Sequence, residues 1–410
     1  MERKQSVGWL KLNLAMELDY FNSTTNGNSD DRIGMIKALV KRGYDITIYS
    51  AVHRRDEGLF NGDFEGRKYL SFLKNVKYKP NKYPKSDILI VEPGPDNMTY
   101  SYPYDKSKPF MRWIFECIDK HIGPVIWLHG DPILPIPFRQ MAFAKYPWGH
   151  KNNGYTNLSM RGEKWVVNSG WSTYDEMFSK KKHYVLLRPK KIDLAVDMYN
   201  GSRAGYKDLA EHFEFRHMPV GYEYSFFKDY LVMINPNNFL IYTGGDRSRR
   251  KSFREYYNGT GYSTKVTGKW GDDVKESFSG IEFIGWLRNR REIQNFINNS
   301  KVCVQIASTK GSLTGCVTAR LFEVAAGRCI SLIDGSIYRA KDFVPDKWFV
   351  VNGKDRALKK YRKISRMSYK DRKKLIYEEL NFMRENYTWE RSIESIVKVI
   401  DECFPDDHLV

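Results

Sequence analysis

The stretch Thr-Ala-Arg-Leu-Phe-Glu-Val-Ala-Ala-Gly-Arg-Cys-Ile-Ser-Leu-Ile-Asp, residues 318–334, indicates a helix followed by a buried strand. Leu321 and Val324 are spaced three apart and belong to one apolar face of the helix. Gly327 predicts the end of the helix, because glycine is a common residue at a helix C-cap. Residues 329–333 then form an apolar strand. A helix that leads directly into a buried strand is typical of an α/β fold with a parallel sheet.

Two charged side chains of this helix, Arg320 and Glu323, lie three positions apart and therefore project to the same side. A carboxylate held on a short helix beside the end of a strand can bind the 2′ and 3′ hydroxyls of a ribose. A surface glutamate paired with Arg320 explains the same residues equally well. The other motifs of the chain are needed to choose between the two interpretations.

The length of 410 residues predicts two domains, at roughly 150–200 residues each. Apolar residues make up 41% of the chain, which is enough to form two cores. No run of about 18 apolar residues occurs, so no membrane-spanning helix is predicted, and the first residues lack a signal-peptide pattern. Five scattered cysteines predict a reducing, cytoplasmic location and no disulfide framework.

A net charge of +18 together with 15% aromatic residues indicates a polyanionic partner. Nucleic acid, an anionic membrane face and an acidic nucleotide substrate all fit this charge. Basic clusters occur at residues 180–182, 188–191, 288–291 and 359–374. Such clusters would neutralise duplex phosphates without reading sequence, although a charge run such as 359–374 is also typical of a solvated face. The number of clusters favours phosphate binding.

Strands and helices alternate along the whole chain. In the first half, strands are predicted at residues 7–15, 45–50, 87–91, 124–128, 164–168 and 183–187, with a helix at 33–40. In the second half, strands are predicted at 239–243, 281–285, 302–306 and 348–351, with helices at 292–299 and 392–403. This order predicts two doubly wound, Rossmann-like sheets. The predicted boundaries are 1–223, 237–386 and a C-terminal helical segment at 387–410.

Several nucleotide and metal motifs are absent from the sequence. Neither first strand is followed by G-x-G-x-x-G, which argues against an NAD or FAD enzyme, and the P-loop pattern G-x-x-x-x-G-K-[ST] does not occur. No Asp-x-Asp triplet and no His/Cys spacing typical of zinc is present. We therefore predict no cofactor and no required metal.

The predicted strand at 239–243 runs into Gly-Gly-Asp-Arg-Ser-Arg-Arg-Lys, residues 244–251. Glycines at the carboxyl end of a strand let backbone amides approach an anion, and arginines supply forked donors for phosphate oxygens. The predicted ligands of a nucleotide diphosphate are Gly245, Arg247, Arg250 and Lys251. A solvated basic turn is the alternative. Because Glu323 follows at the same edge of the sheet, we favour the diphosphate.

His129 and Asp131 directly follow a predicted strand of the first domain, at the position where α/β sheets place ligands. A carboxylate there can take a proton from an acceptor hydroxyl, and an imidazole can donate to that hydroxyl or orient a sugar. We predict Asp131 as the catalytic base, helped by His129. Glu92 and Asp96, at the neighbouring strand end, are the rival carboxylates, and an ordinary loop contact is the alternative for His129.

The segment Arg-Leu-Phe-Glu-Val-Ala-Ala-Gly, residues 320–327, resembles the R-x-x-E-x-x-x-G segment of the GT-B glycosyltransferases, whose glutamate binds the donor ribose. The resemblance implies an α/β, GT-B fold with two Rossmann-like domains facing across a cleft. The first domain would bind the acceptor and the second a nucleotide-sugar, with the last helix crossing back to the first domain. It assigns the ribose to Glu323. The first glutamate of the family's E-x7-E pattern would fall at Gly315.

Within this class the chain resembles the DNA glucosyltransferases of T-even phages, especially the α-enzyme. That enzyme has a His-Asp pair after a similar strand, where this chain has His-Gly-Asp at 129–131. The resemblance implies sugar transfer from a UDP-sugar to hydroxymethylcytosine-type bases of double-stranded DNA, in a host cytoplasm if a phage encodes the chain. One alternative is a glycan or lipid-linked oligosaccharide acceptor at the cytosolic membrane face. Another is a non-catalytic nucleic-acid-binding protein, which Gly315 favours.

Overall fold

The computed structural model describes residues 5–12, 27–51, 76–80, 82–92, 117–118, 120–129, 158–161, 164–167, 180–195, 213–245, 249–287 and 290–405. These residues form two parallel sheets and one separate antiparallel strand pair. None of the helices in these ranges is long and apolar enough to cross a membrane.

In the part of the chain that the structure describes, the first sheet has seven parallel strands. They are β1 (Ser6–Leu12), β2 (Asp45–Ala51), β3 (Val76–Pro80), β4 (Ile88–Glu92), β5 (Val125–His129), β8 (His183–Leu187) and β9 (Phe213–His217), with α1 (Gly27–Arg42) between the first two. Their order is β3-β2-β1-β4-β5-β8-β9. All five residues of β8 are buried, as expected for a parallel strand covered on both faces. The order reverses between β1 and β4, which defines a topological switch point.

Four strands in the first half of the chain differ from the sequence-based expectation. The prediction that residues 164–168 continue the parallel sheet is wrong, because within the described ranges β6 (Leu158–Arg161) and β7 (Lys164–Val167) pair with each other, antiparallel, and with no other strand. An apolar β-branched run predicts a strand but does not specify its partner. The unpredicted strands β3 and β9 form the two edges of the first sheet, where charged residues are tolerated and weaken the apolar pattern.

The second sheet has six parallel strands. They are β10 (Asn238–Thr243), β11 (Thr264–Thr267), β12 (Ile281–Phe283), β13 (Ser300–Gln305), β14 (Ile330–Asp334) and β15 (Val350–Val351). The helices are α2 (Arg250–Tyr257), α3 (Asp272–Glu276), α4 (Arg290–Asn298), α5 (Thr309–Thr314), α6 (Arg320–Ala326), α7 (Lys354–Ser365) and α8 (Tyr369–Asn386). The order β12-β11-β10-β13-β14-β15 places a second switch point between β10 and β13.

The helix and strand predicted from residues 318–334 are confirmed as α6 and β14. Gly327 follows α6 as its C-cap with φ −74°, which is not a left-handed conformation. The glycine is needed for close contact instead, since a Cβ there would lie 2.4 Å from Cγ2 of Ile297 on α4. The small residue at position 327 therefore lets two helices on one face of the sheet approach each other.

The last two helices, α9 (Trp389–Ser392) and α10 (Glu394–Cys403), pack against the first sheet. Ile393, Ile396 and Ile400 are buried in one apolar cluster with residues of β1, β2 and α1. The chain passes from the first sheet to the second near Tyr222 and returns near Tyr387. The Tyr222 amide donates to the Tyr387 carbonyl (3.1 Å), so a hydrogen bond joins these two segments. The chain therefore passes between the sheets twice. The boundaries at 223, 237 and 387 stay predictions.

We expect Gly34→Ala on α1 to lower the free energy of unfolding by about 1–3 kcal/mol, as overpacking does. A Cβ at this position would lie 2.1 Å from Cδ1 of Trp389. In a Trp389→Ala background the same change should cost nothing, because alanine is a better helix former than glycine. Urea unfolding of the four proteins of this double-mutant cycle measures the coupling. Equal costs in both backgrounds would show that Trp389 does not hold α9 on α1.

Candidate functional site

Three neighbouring strands of the second sheet end in glycines with positive φ: Gly244 (144°), Gly268 (140°) and Gly285 (79°). The Gly268 amide donates to the Gly285 carbonyl (2.9 Å). A Cβ on Gly268 would lie only 2.2 Å from the Gly244 carbonyl oxygen. The backbones of the three turns are therefore in contact along the carboxyl edge of β10, β11 and β12. A side chain on Gly268 would prevent this close contact.

The first of these turns is held from below by Trp270, which is buried. Its indole Nε1 donates to the Gly244 carbonyl (2.6 Å), while the Gly244 amide donates to the Thr267 carbonyl (2.8 Å). The Trp270 ring packs on Phe253 of α2, at 4.5 Å between ring centroids. The turn after β10 is thus fixed by hydrogen bonds to β11 and by an aromatic core beneath it.

Arg320 approaches this turn from α6, on the other side of the switch point. A Cβ on Gly244 would lie 2.6 Å from Arg320 Nη1, so the guanidinium rests directly on the glycine. Arg320 and Glu323 are the two residues of α6 that are not buried; the other five belong to the core. Burial of one helix face therefore fixes both charged side chains on the opposite face, as their spacing predicts.

Buried polar atoms without a hydrogen-bond partner cluster at the same strand end. Among the described residues they include Tyr242 Oη, Thr243 Oγ1 and Arg249 Nε. Burial raises the pKa of the Tyr242 hydroxyl, and the positive charges of Arg320 and Arg249 oppose that rise. The two guanidinium groups therefore lie close to one hydroxyl. Since buried polar groups are nearly always hydrogen-bonded, this cluster is suited to a polar, anionic ligand.

Arg249 is a residue that the sequence analysis missed. The run Arg-Ser-Arg-Arg-Lys, residues 247–251, does not show which of its cations turn inward. In the structure Arg249 is partly buried, whereas Arg250 and Lys251 lie exposed in the first turn of α2. Gly245 lies beside β11, since a Cβ on it would be 3.0 Å from the Lys269 carbonyl oxygen. The structure thus brings Gly245, Arg249 and Arg320 to one strand edge.

The other predicted residues belong to the first sheet or lie outside the described residues. His129 is the last residue of β5 rather than the first residue after it, and Glu92 is the last residue of the neighbouring strand β4. Their backbones therefore reach the same carboxyl edge. Asp131, its rival Asp96, and Arg247 lie outside the described residues.

Gly315, where the E-x7-E pattern has glutamate, is the C-cap of α5 with φ 68°, in the left-handed region. A Cβ there would lie 2.8 Å from the Tyr338 carbonyl oxygen and 3.4 Å from Cβ of Lys190. Both the backbone conformation and the surroundings therefore select glycine. An acidic side chain at position 315 is incompatible with this contact, which joins the second sheet to the first.

The contact around Gly315 brings the carboxyl edges of the two sheets together. Lys190, which follows β8, forms an ion pair with Asp342 (2.8 Å), and the Lys191 amide donates to the Thr314 carbonyl (3.0 Å). Burial lowers the pKa of Lys190, and Asp342 opposes that shift. The ends of β5 and β8 in the first sheet therefore face the side of the second sheet that carries Arg320.

No group of three or more His, Cys, Asp or Glu side chains suited to a metal ion occurs in the part of the chain that the structure describes. The positive charge at the carboxyl edge of the second sheet is instead supplied by arginines. Guanidinium groups and free backbone amides bind phosphate oxygens through directed hydrogen bonds. The arrangement is chemically suited to a diphosphate.

Two Rossmann-like parallel sheets that meet at their carboxyl edges define the GT-B class of fold. Residues 247–398 match the family model described as glycosyl transferase-like. No curated protein matches the chain in sequence.

Several solved structures share the fold over nearly their whole length. A DNA-modifying β-glucosyltransferase, solved with and without uridine diphosphoglucose, is 15% identical with a TM-score of 0.59, over 97% of this chain and 99% of its own. A T4 phage β-glucosyltransferase in complex with UDP-glucose is 14% identical with a TM-score of 0.61, over 97% and 99%. An α-glucosyltransferase in complex with UDP is 10% identical with a TM-score of 0.59, over 97% and 100%. The predicted GT-B fold is confirmed.

We expect Gly315→Glu, which restores the missing acid, to destabilise the protein by about 1–3 kcal/mol more than Gly261→Glu does. Both glycines have positive φ, so both substitutions strain the backbone, but a Cβ on Gly261 would meet no atom within 4 Å. The difference between the two midpoints of thermal unfolding isolates the clash with the Tyr338 carbonyl and the crowding of the longer side chain against Lys190. If the two variants unfold alike, the contact between the sheets is not rigid.

Proposed function

We propose that the protein transfers a sugar from a UDP-sugar to hydroxymethylated bases, of the 5-hydroxymethylcytosine type, in double-stranded DNA. The observation that carries the proposal is the contact of Arg320 with the glycine turn after β10, at the switch point of the second sheet. Ligands of α/β proteins bind at such crevices. The distant fold likeness to glucosyltransferases solved with UDP or UDP-glucose supports the same choice of donor.

The donor's diphosphate is assigned to the edge formed by Gly244 and Gly245. Arg249 and Arg320 would neutralise its charge, and the buried hydroxyls of Tyr242 and Thr243 would gain hydrogen-bond partners. Three cations predicted from the sequence complete the proposed phosphate ligands: Arg247, Arg250 and Lys251. Glu323, one turn after Arg320 on the same helix face, would bind the ribose hydroxyls.

The reaction joins the acceptor hydroxyl oxygen to the anomeric carbon of the sugar. The bond from that carbon to the phosphate oxygen breaks, and UDP leaves with both electrons of the bond. Arginines already positioned at the diphosphate stabilise the charge that develops there. The hydroxyl proton would pass to Asp131, with His129 at the end of β5 orienting the acceptor. The facing carboxyl edges would bring donor and acceptor together.

Double-stranded DNA is the proposed acceptor for two reasons. The chain has a net charge of +18, and a protein described as a DNA-modifying enzyme shares its fold over 97% of the chain. A base stacked in a duplex would have to be flipped out to reach the facing edges. The alternative acceptor is a glycan or a lipid-linked oligosaccharide, which the transfer assay below tests.

Arg320→Gln should weaken UDP binding by about 1.5–3 kcal/mol, the usual cost of losing hydrogen bonds to a charged group. That corresponds to roughly a tenfold to 150-fold increase in Kd. Arg356→Gln, an exposed arginine at the start of α7, is the matched control and should bind UDP like the unmodified protein. Isothermal titration with UDP measures both. Equal affinities for the two variants would remove Arg320 from the donor site.

Asp131→Asn should lower the rate of sugar transfer by about 100-fold or more, the usual contribution of a general base, while leaving the Kd for UDP unchanged. The substrates are UDP-sugars and hydroxymethylcytosine duplex DNA, and the mass of the modified nucleoside gives the product. Glu92→Gln and Asp96→Asn test the rival carboxylates in parallel. Absence of transfer to DNA with every UDP-sugar, together with transfer to a glycan acceptor, would overturn the proposed acceptor.

A further inference from the structure

Residues 359–374 span the second half of α7 and the start of α8, and they carry an unusual density of positive charge. They contain nine cations, namely Lys359, Lys360, Arg362, Lys363, Arg366, Lys370, Arg372, Lys373 and Lys374, against one acid, Asp371. The carboxylate of that acid accepts a hydrogen bond from Ser368 Oγ (2.6 Å) in the cap of α8.

In the described part of the chain, none of these nine cations lies within ion-pair distance of a carboxylate. Arg372 is buried and donates to the backbone carbonyls of Met233 and Ile234. Lys360 lies over the ring of Trp348, 4.6 Å from its centroid. The other seven are exposed. Unlike the surface lysines paired elsewhere in this chain, they keep their full charge available to a partner.

Four exposed apolar or aromatic side chains lie beside this charge. Their exposed fractions are 74% for Leu231, 41% for Met233, 66% for Ile234 and 38% for Tyr369. The Tyr369 hydroxyl donates to the Val232 carbonyl (3.4 Å), and Arg372 binds the next two carbonyls. Residues 231–234 therefore run along the first turn of α8. We call the surface formed by residues 231–234 and 359–374 the basic face.

The basic face lies at the amino edge of the second sheet, opposite the carboxyl edge that carries the candidate site. Tyr361 of α7 packs against Phe239, near the amino end of β10 (6.2 Å between ring centroids). The Asn237 amide, next to residues 231–234, donates to Asn299 Oδ1 (2.9 Å), just before β13 begins. Arg320 and Gly244 lie at the carboxyl ends of the same strands. A ligand held at the candidate site therefore does not account for the basic face.

We propose that the basic face docks the protein on an anionic lipid bilayer. Cations alone would suit either lipid phosphates or nucleic-acid phosphates. The exposed leucine, methionine and isoleucine decide between them, because aliphatic side chains gain free energy by entering the acyl boundary of a membrane but gain little on a phosphate backbone. Clustered exposed apolar residues within a polar rim are also typical of an interaction surface.

The docked orientation leaves the candidate site open. Because the basic face belongs to the amino edge of the second sheet, the carboxyl edge of that sheet, which carries the candidate site, would point away from the bilayer. Docking is therefore independent of the acceptor proposed above. It does not require the sugar acceptor to be a lipid.

The test is co-sedimentation of the full chain with phosphatidylcholine vesicles that contain or lack phosphatidylglycerol. Binding should require phosphatidylglycerol and weaken with added salt. Two variants, Leu231→Ser/Ile234→Ser and Lys370→Gln/Lys373→Gln/Lys374→Gln, should each lower the vesicle partition coefficient by about tenfold or more. The apolar variant should keep its salt dependence, whereas the charge variant should lose most of it.

Controls come from the segments that precede β4 and β5 of the first sheet. Ile122→Ser removes an apolar side chain that is 94% exposed, and Lys82→Gln/Lys85→Gln removes two exposed lysines; both should bind vesicles like the unmodified protein. Thermal unfolding checks that every variant is folded. Failure of the unmodified protein to bind anionic vesicles would overturn the proposal. So would a charge variant that loses duplex DNA binding while the apolar variant binds vesicles unchanged.

Discussion

The contact between the Gly244 and Gly268 backbones is the constraint on which the candidate site depends. With 2.2 Å between a hypothetical Cβ on Gly268 and the Gly244 carbonyl oxygen, that position has no room for a side chain. The edge of β10 and β11 therefore presents backbone rather than side chains. Trp270 beneath the turn holds the Gly244 carbonyl. An edge formed by backbone carries no charged side chains. The positive charge that a diphosphate needs must therefore come from the helices that flank the edge.

The flanking charge comes from Arg249 and Arg320. Within the described residues neither arginine is positioned by an ion pair; each is positioned by the packing of its own helix. The five other residues of α6 are buried, so the helix cannot rotate without exposing its core. Arg249 immediately precedes α2, whose Phe253, Tyr256 and Tyr257 are buried in the same domain. Preorganised cations of this kind need little rearrangement when a diphosphate binds. The rigid aromatic core is therefore part of the functional argument.

Much of the fold follows from the sequence because parallel strands have a strong local signature. β8 and the pair α6–β14 match their predicted positions closely, since their apolar runs are continuous and bounded by glycine or charge. β3 and β9 escaped prediction because edge strands carry charges. The partner of β7 could not be predicted, because the pairing of strands is a tertiary property. The local sequence pattern therefore predicts where a strand or helix lies better than it predicts which strand lies next to it.

The candidate site was predictable in type but not in detail, for a similar reason. The glycines after β10 and the Arg320–Glu323 pair have local sequence signatures. The partial burial of the Arg249 side chain, within a run of cations, depends instead on the core beneath it. Gly315 shows the reverse case. Its sequence signal is a missing acid, and only the contact with Tyr338 and Lys190 explains why glycine is required there. The absence of that acid is therefore no argument for a decayed, non-catalytic fold.

The distribution of charge changes how the net charge of +18 should be interpreted. Nine cations and one acid between residues 359 and 374 account for nearly half of that net charge, yet they lie at the amino edge of the second sheet. The charge at the carboxyl edge rests on a few arginines beside glycine turns. Bulk charge therefore does not by itself identify the acceptor. Under the two proposals above, the positive charge is divided between two separate surfaces, the donor site around Arg320 and the basic face.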